Sequence, residues 1–273
     1  RLARSGALGR CGPVLTLSLS CASGNAAVAS AADLLRSGRA EMALAAGYDA
    51  MSDLSWGGLC ALRTMSEDKV RPFDRRRDGT IFSEGCGAIV LETLEHARKR
   101  GADVLAEVTG YATNNNAYHM THPPKDGQGM TEAMRAALCN AGLAPESVDY
   151  INAHGTGTKL NDSSETAAIK AVFGEHAYRM PVTSNKSMVG HAMGAASALE
   201  AVASVLTLRD GIIPPTINLE EPDPECDLDY VPNESRKQQV QVVLNNASGI
   251  GGCNCAVIFR RLGESRSRET EKE

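Results

Sequence analysis

An apolar, β-branched run stops at a single cysteine and gives way at once to small residues: Val14-Leu15-Thr16-Leu17-Ser18-Leu19-Ser20-Cys21-Ala22-Ser23-Gly24-Asn25-Ala26-Ala27. The run predicts a strand, and the alanine-rich continuation predicts a helix over 24–37 closed by Gly38, so Cys21 falls on a tight strand-to-helix turn. A thiol at a helix N-terminus faces unpaired N–H groups and the positive end of the helix dipole, which is expected to stabilise the thiolate and lower the pKa. A buried structural cysteine remains the alternative on this stretch alone, because free cysteine is among the most buried residue types.

At 273 residues the chain has room for one large domain or two small ones. Hydrophobic residues at 42% and charged residues at 22% describe an ordinary globular protein. The net charge of −5, with acids and bases interspersed, gives no reason to expect nucleic acid or a membrane surface as partner. No apolar run reaches membrane-spanning length, and residues 1–12 hold no signal core. The eight cysteines form no Cys-x-x-Cys pair, which suits reduced thiols in the cytoplasm better than a disulfide framework. The chain opens without Met, as if in the middle of a domain, and its charged end, 262–273, is expected to be disordered.

Beyond the Cys21 helix, Glu41 to Gly47 reads as a short buried strand, and Asp49 to Ser83 as a long irregular region of the kind that is usually functional. Strands are predicted over 86–92, 104–111, 148–152, 180–183, 239–244 and 255–259, and helices over 94–100, 129–141, 162–173 and 192–209. The last two strands flank a loop, 246–252. Strands alternating with helices make the class α/β, with a largely parallel sheet covered on both faces. No dinucleotide or P-loop glycine pattern occurs in strand-to-helix context.

His154 and His191 each follow a strand or short loop, sit beside glycine and precede a helix. Each alone is as compatible with a structural role. With Cys21 they form a Cys/His/His set at one end of an α/β sheet, where such folds place their sites. No metal is expected, since the spacings match no ligand pattern and no acidic ligand accompanies them. His119 and His122 lie in an irregular segment and read as a surface or subunit contact.

Seven segments in order carry a resemblance to the elongating-type β-ketoacyl-[acyl-carrier-protein] synthases. They are Ser20-Cys21-Ala22-Ser23-Gly24, Arg71-Pro72-Phe73-Asp74, Asp78-Gly79, Ala153-His154-Gly155-Thr156-Gly157-Thr158, Asn185-Lys186-Ser187-Met188-Val189-Gly190-His191, Pro214-Pro215-Thr216-Ile217-Asn218 and Gly249-Ile250-Gly251-Gly252. The resemblance implies a thiolase-like fold of two pseudo-symmetric βαβαβαββ halves in layered αβαβα arrangement, usually a homodimer. The first, nucleophile-bearing half would cover 1–110 and lack its N-terminal part; the second would cover 111–261. It also implies that Cys21 takes an acyl chain from an acyl carrier protein, that His154 and His191 stabilise the enolate of a decarboxylating malonyl thioester, and that the N–H groups of Cys21 and Ile250 form the oxyanion hole. Lys186 matches the family's active-site lysine and Glu200 its partner acid, with Asp162 and Glu165 as further supporting acids. Thr156 and Thr158 match positions that bind the pantetheine arm, and Arg63 and Arg71 are read as docking the acidic carrier. No cofactor is implied beyond the phosphopantetheine of that carrier.

This sequence departs from the family loop at Ser248, Ile250 and Cys253, which bears on the gating of the acyl pocket. Cys253 invites comparison with thiolases, but Cys253-Asn254-Cys255 does not reproduce their Cys-x-Gly. A non-catalytic partner like the chain-length subunits of polyketide synthases shares the fold, yet such subunits replace the nucleophile that Cys21 retains.

Overall fold

The computed structural model describes residues 2–5 and 10–263. A hairpin of β1 (Leu2–Ser5) and β2 (Arg10–Pro13) precedes α1 (Ser23–Arg36), β3 (Met42–Asp49), α2 (Asp53–Ala61), β4 (Gly85–Glu92), α3 (Leu94–Lys99) and β5 (Glu107–Asn115). Next come α4 (Gln128–Ala141), β6 (Tyr150–Asn152), α5 (Lys159–Phe173), β7 (Val182–Thr183), the single turn α6 (Lys186–Val189) and α7 (Ala196–Asp210). The short pair β8 (Ile212–Ile213) and β9 (Arg236–Lys237) leads to a closing hairpin, β10 (Val242–Gly249) and β11 (Cys253–Arg260). Most of the tail expected to be disordered, from 264 on, lies outside the described residues.

The main sheet has the order β7-β6-β10-β11-β5. β7, β6 and β10 are parallel, whereas β11 is antiparallel to both of its neighbours, so the sheet is mixed rather than largely parallel. The cause is the connection: only three residues join β10 to β11, and a crossover to a parallel strand needs a dozen or more. Most of 246–252, read above as a loop, is ladder, with Asn246 opposite Ala256 and Gly249 opposite Cys253. Its polarity misleads because the buried side chains find partners inside: Asn246 donates to Glu165 at 2.7 Å and Ser248 to Asn254 at 2.8 Å.

One face of this sheet packs on α4 and α5 through Met134, Ile151, Ile169 and Leu244. The other packs on α1 and α7 through Val28, Tyr150, Ala201, Val243 and Val257. On the far side of α1 and α7 lies the antiparallel pair β3–β4. β3 is not the buried strand expected. Its inward residues Ala45 and Gly47 alternate with Leu44 and Tyr48, which are 59% and 79% exposed, and Val90 of β4 continues that open apolar face. The described residues thus give four layers, without the outermost helical layer over β3 and β4. Residues 14–18 form no strand either, and Val14 and Leu15 are each 61% exposed. A strand needs a neighbour's ladder, and among the described residues none runs beside this segment.

The region 49–83 contains one helix that the sequence reading missed. α2 is started by Ser52, whose hydroxyl accepts from the Ser55 N–H at 3.2 Å. Gly57 and Gly58 sit in its middle and read as breakers, although a single glycine weakens a helix by only about 1 kcal/mol. Among the described residues no helix is long and apolar enough to cross a membrane. The architecture repeats itself: Cys21 leads into α1 and the antiparallel strands β3 and β4, and His191 leads into α7 and the antiparallel strands β10 and β11.

Candidate active site

Small residues make the turn at Cys21 possible. Ser20 adopts a left-handed backbone, φ 50°, and the Ala22 and Ser23 amides donate back to Leu19 and Ser20. The Ser23 hydroxyl closes the turn, donating to the Ser20 carbonyl at 2.6 Å and accepting from the Leu19 N–H at 2.8 Å. From α7, the Ser197 hydroxyl donates to the Cys21 carbonyl and accepts from the Asn25 N–H, both at 3.0 Å. The Cys21 turn is therefore fixed to the helix that follows His191.

His154 leaves β6 on a loop held by the two acids expected to support it. Glu165 accepts from the His154 and Gly155 amides at 2.7 and 2.8 Å, and Asp162 accepts from the amides of Gly157 and Phe73. Burial raises both carboxyls, Asp162 to about 6, and these amide hydrogen bonds work against it. His191 is clipped to the segment after the charged loop: its N–H donates to Ile81, its carbonyl accepts from Ser83, and its ring stacks at 5.5 Å on Phe82.

These supports bring three groups together. The His191 Nε2 lies 3.1 Å from the Cys21 sulfur, and a ligand-type atom from each of Cys21, His154 and His191 falls within a 4.8 Å span. The imidazole rings meet edge to face, 5.5 Å apart at 86°. Their outer nitrogens decide their chemistry. His191 Nδ1 accepts from the Met193 N–H at 3.2 Å, and His154 Nδ1 faces the Lys186 Nζ at 3.3 Å. Lys186 is buried and also donates to the His154 carbonyl at 2.6 Å and to Glu200, so its three ammonium protons meet three acceptors. With Nδ1 accepting, each ring carries its proton on Nε2 and presents a donor to the space beside the thiol. Burial first, then the Lys186 charge, holds both imidazoles well below their ordinary pKa, so both are neutral near pH 7.

The thiol does not behave as the helix-terminus argument predicts. Burial pushes Cys21 up to about 11, and the Lys186 charge and the Ile250 N–H only partly offset it. Iodoacetamide should therefore alkylate Cys21 at a rate that keeps rising with pH beyond 9. Lys186→Met, by removing the favourable charge, should slow the reaction at any fixed pH. A rate that levels off near pH 7 would restore the low-pKa thiol.

The other residues singled out fall into place unevenly. Ile250, at the tip of the β10–β11 hairpin, turns its N–H toward Cys21 while its carbonyl accepts from the Ser20 hydroxyl at 2.8 Å. The Thr156 and Thr158 hydroxyls bond each other at 2.8 Å. Arg63 is exposed, whereas Arg71 is tied to Asp68 at 2.6 Å. Phe82, Ser197 and the Met193 N–H escaped sequence reading. Phe82 and Met193 leave no local signal, but Ser197 and Asn25 were visible as polar residues inside alanine-rich helices. A separate cavity of about 600 Å³ between α1, β4, α3 and β11 contains neither cysteine nor histidine and is no rival site.

Residues 4–97 match the family model of the β-ketoacyl synthase N-terminal domain, and residues 105–220 match that of the β-ketoacyl synthase C-terminal domain. Nodulation protein E of Rhizobium meliloti is 48% identical over 258 residues, covering 93% of this chain and 63% of that protein. The 3-oxoacyl-[acyl-carrier-protein] synthase 2 of Coxiella burnetii is 45% identical, covering 92% of this chain and 62% of the relative. A solved complex of a type II polyketide synthase acyl-carrier protein with its ketosynthase, bound to the hexaketide, superposes with a TM-score of 0.89 at 42% identity, over 92% of this chain and 64% of that one. The sheet order, the repeated unit and these superpositions define a thiolase-like ketosynthase fold. The chain belongs to the β-ketoacyl synthase family. It spans about 63% of the length of the curated relatives it matches.

Proposed function

We propose that this chain supplies the reaction centre of an elongating-type β-ketoacyl-[acyl-carrier-protein] synthase. In this reading the Cys21 sulfur attacks an acyl-carrier thioester, forms the acyl-cysteine and passes its proton to the departing carrier thiol. A malonyl-carrier thioester then loses carbon dioxide, and the electron pair left behind becomes an enolate. Its carbon attacks the acyl-cysteine, and the Cys21 sulfur leaves as the 3-oxoacyl-carrier product forms. The observation that supports this best is the pair of Nδ1 acceptors, which commits both Nε2–H groups to donation. Two neutral donors in a dry site stabilise a developing enolate oxygen, and decarboxylation spares the enzyme a strong base. The amides of Cys21 and Ile250 would serve the tetrahedral oxyanion.

The test is to incubate the whole protein with a long-chain acyl-carrier thioester and map the adduct by mass. A single adduct at Cys21, lost in Cys21→Ala, is expected. An adduct at Cys253 or Cys255 that survives this change would favour thiolase chemistry, and no adduct at all would favour a non-catalytic partner subunit. The reading includes cytoplasmic location, dimerisation with itself or with a second ketosynthase subunit, a pantetheine arm lying along Thr156 and Thr158, and no further cofactor. It also takes 1–110 and 111–261 as the two thiolase-like halves.

Carrier docking falls to Arg63, the exposed member of the pair singled out; Arg71, engaged with Asp68, is the weaker candidate. Rim charges act mainly on association and its salt dependence. Arg63→Glu should weaken carrier binding and leave alkylation of Cys21 unchanged, and equal carrier affinity would remove Arg63 from this role. Ile250 is read as the gate. Its β-branched side chain is stiff at χ1 and smaller than an aromatic ring, so it closes the acyl pocket less completely. Ile250→Phe should therefore lower malonyl decarboxylation relative to condensation, whereas an unchanged ratio with condensation intact would place the gate elsewhere.

A further inference from the structure

Cys21, His154 and His191 have the compactness of a metal site, with one ligand-type atom from each inside a 4.8 Å span. A thiolate with two imidazoles is a donor set that zinc and its neighbours favour. What surrounds these groups is the inverse of a metal site. An imidazole bound to a metal through one nitrogen keeps the other protonated and donates it to a carboxylate, a carbonyl or water. Here both outer nitrogens face donors, the Met193 N–H at 3.2 Å from His191 Nδ1 and the Lys186 Nζ at 3.3 Å from His154 Nδ1. A cation on either Nε2 would drive a proton onto Nδ1, directly against an N–H that cannot accept it. The buried carboxylates nearby bond other groups, Glu200 to Lys186 and Glu165 to the His154 and Gly155 amides and Asn246, and neither bonds an imidazole nitrogen.

We propose that Lys186, together with the Met193 amide, keeps soft divalent cations out of the Cys21/His154/His191 cluster by holding both imidazoles in the tautomer that carries its proton on Nε2. Lys186 is in this respect a positioning residue that acts through His154. The inference rests on the geometry of these side chains and not on the reaction proposed for them, so either can fail without the other.

Cobalt(II) alone is the probe, because a thiolate-to-cobalt absorption band reports a bound Cys21 without any turnover. In the whole protein, Lys186→Met should bind cobalt about tenfold or more tightly than wild type, in line with what an outer partner of a ligating histidine is worth. The band should vanish when Cys21→Ala is added. Since Lys186→Met leaves Glu200 buried without its cation, the double variant Lys186→Met/Glu200→Gln, which removes both charges, is measured in parallel and should gain the same affinity. Equal affinity in wild type and either folded variant overturns the proposal, as does a band that persists without Cys21. The wild type is itself decisive: a thiolate–cobalt band there, at cobalt concentrations no higher than the variants require, shows that the tautomers do not guard the site.

Discussion

Replacing His154 with alanine should slow condensation by about a hundred- to a thousand-fold, the range for loss of one preorganised oxyanion donor, while Cys21 still accepts an acyl group at close to the wild-type rate. The separation follows from the geometry. His191 contacts the Cys21 sulfur at 3.1 Å, whereas the hydrogen bonds of the His154 ring and backbone run to Lys186 and Glu165 and none reaches the thiol. In the proposed reaction His154 is thus free to serve the malonyl oxygen alone. Single-turnover acylation followed by mass, set beside release of carbon dioxide from malonyl carrier, distinguishes the two steps. A parallel loss in both would mean that His154 acts on the thiol.

The second large effect concerns stability. Lys186 and Glu200 are a buried pair, and breaking such a pair by removing one partner costs about 3–5 kcal/mol; Glu200→Ala should therefore move the urea midpoint far down at unchanged slope. A pH effect accompanies it. Burial raises Glu200 from 4.5 to about 7, so the folded state holds this proton where the unfolded state has lost it, and the associated stability is present at acid pH and disappears as pH rises through 7. The two imidazoles act oppositely. Their folded pKa lies well below 6.5, so the unfolded state binds protons first and stability falls as pH drops below that value. The two trends offset each other between about pH 4.5 and 6.5. Glu200→Gln removes one of them, and its stability should fall more steeply on acidification than that of wild type; parallel profiles would show that Glu200 does not titrate in this range.

Local signals carried much of this site. The Cys21 turn was legible because small residues are required wherever a helix starts against another backbone, and the α1 helix because its alanines leave little else to form. Lys186, Glu200 and the two histidines were legible through their motif context. What the sequence could not announce were effects of surroundings. The raised Cys21 pKa arises from burial, which no local spacing reports, and it outweighs the terminus effect that spacing does report. The exposed face of β3 and the missing ladder at 14–18 depend on which strands lie alongside, not on their own residues. α2 was hidden by two glycines that its Ser52 start overcomes, and the β10–β11 hairpin by polar residues whose partners are far away in sequence.

The helices that follow Cys21 and His191 meet at one small side chain, Ala198. A methyl group added to Gly24 would stand 2.2 Å from the Ala198 nitrogen, one added to Gly47 would stand 2.8 Å from the Ala198 Cβ, and one added to Gly87 would stand 2.6 Å from the Ala198 carbonyl carbon. Three glycines, from α1, β3 and β4, thus form a socket for one alanine of α7, and the socket acts as a gauge for the gap between the Cys21 thiol and the His191 imidazole. Socket and alanine are not interchangeable parts: exchanging α1, β3 and β4 for a relative's counterparts transplants half of the gauge, and the chimera keeps the thiol–imidazole distance only where socket and alanine are inherited as a unit.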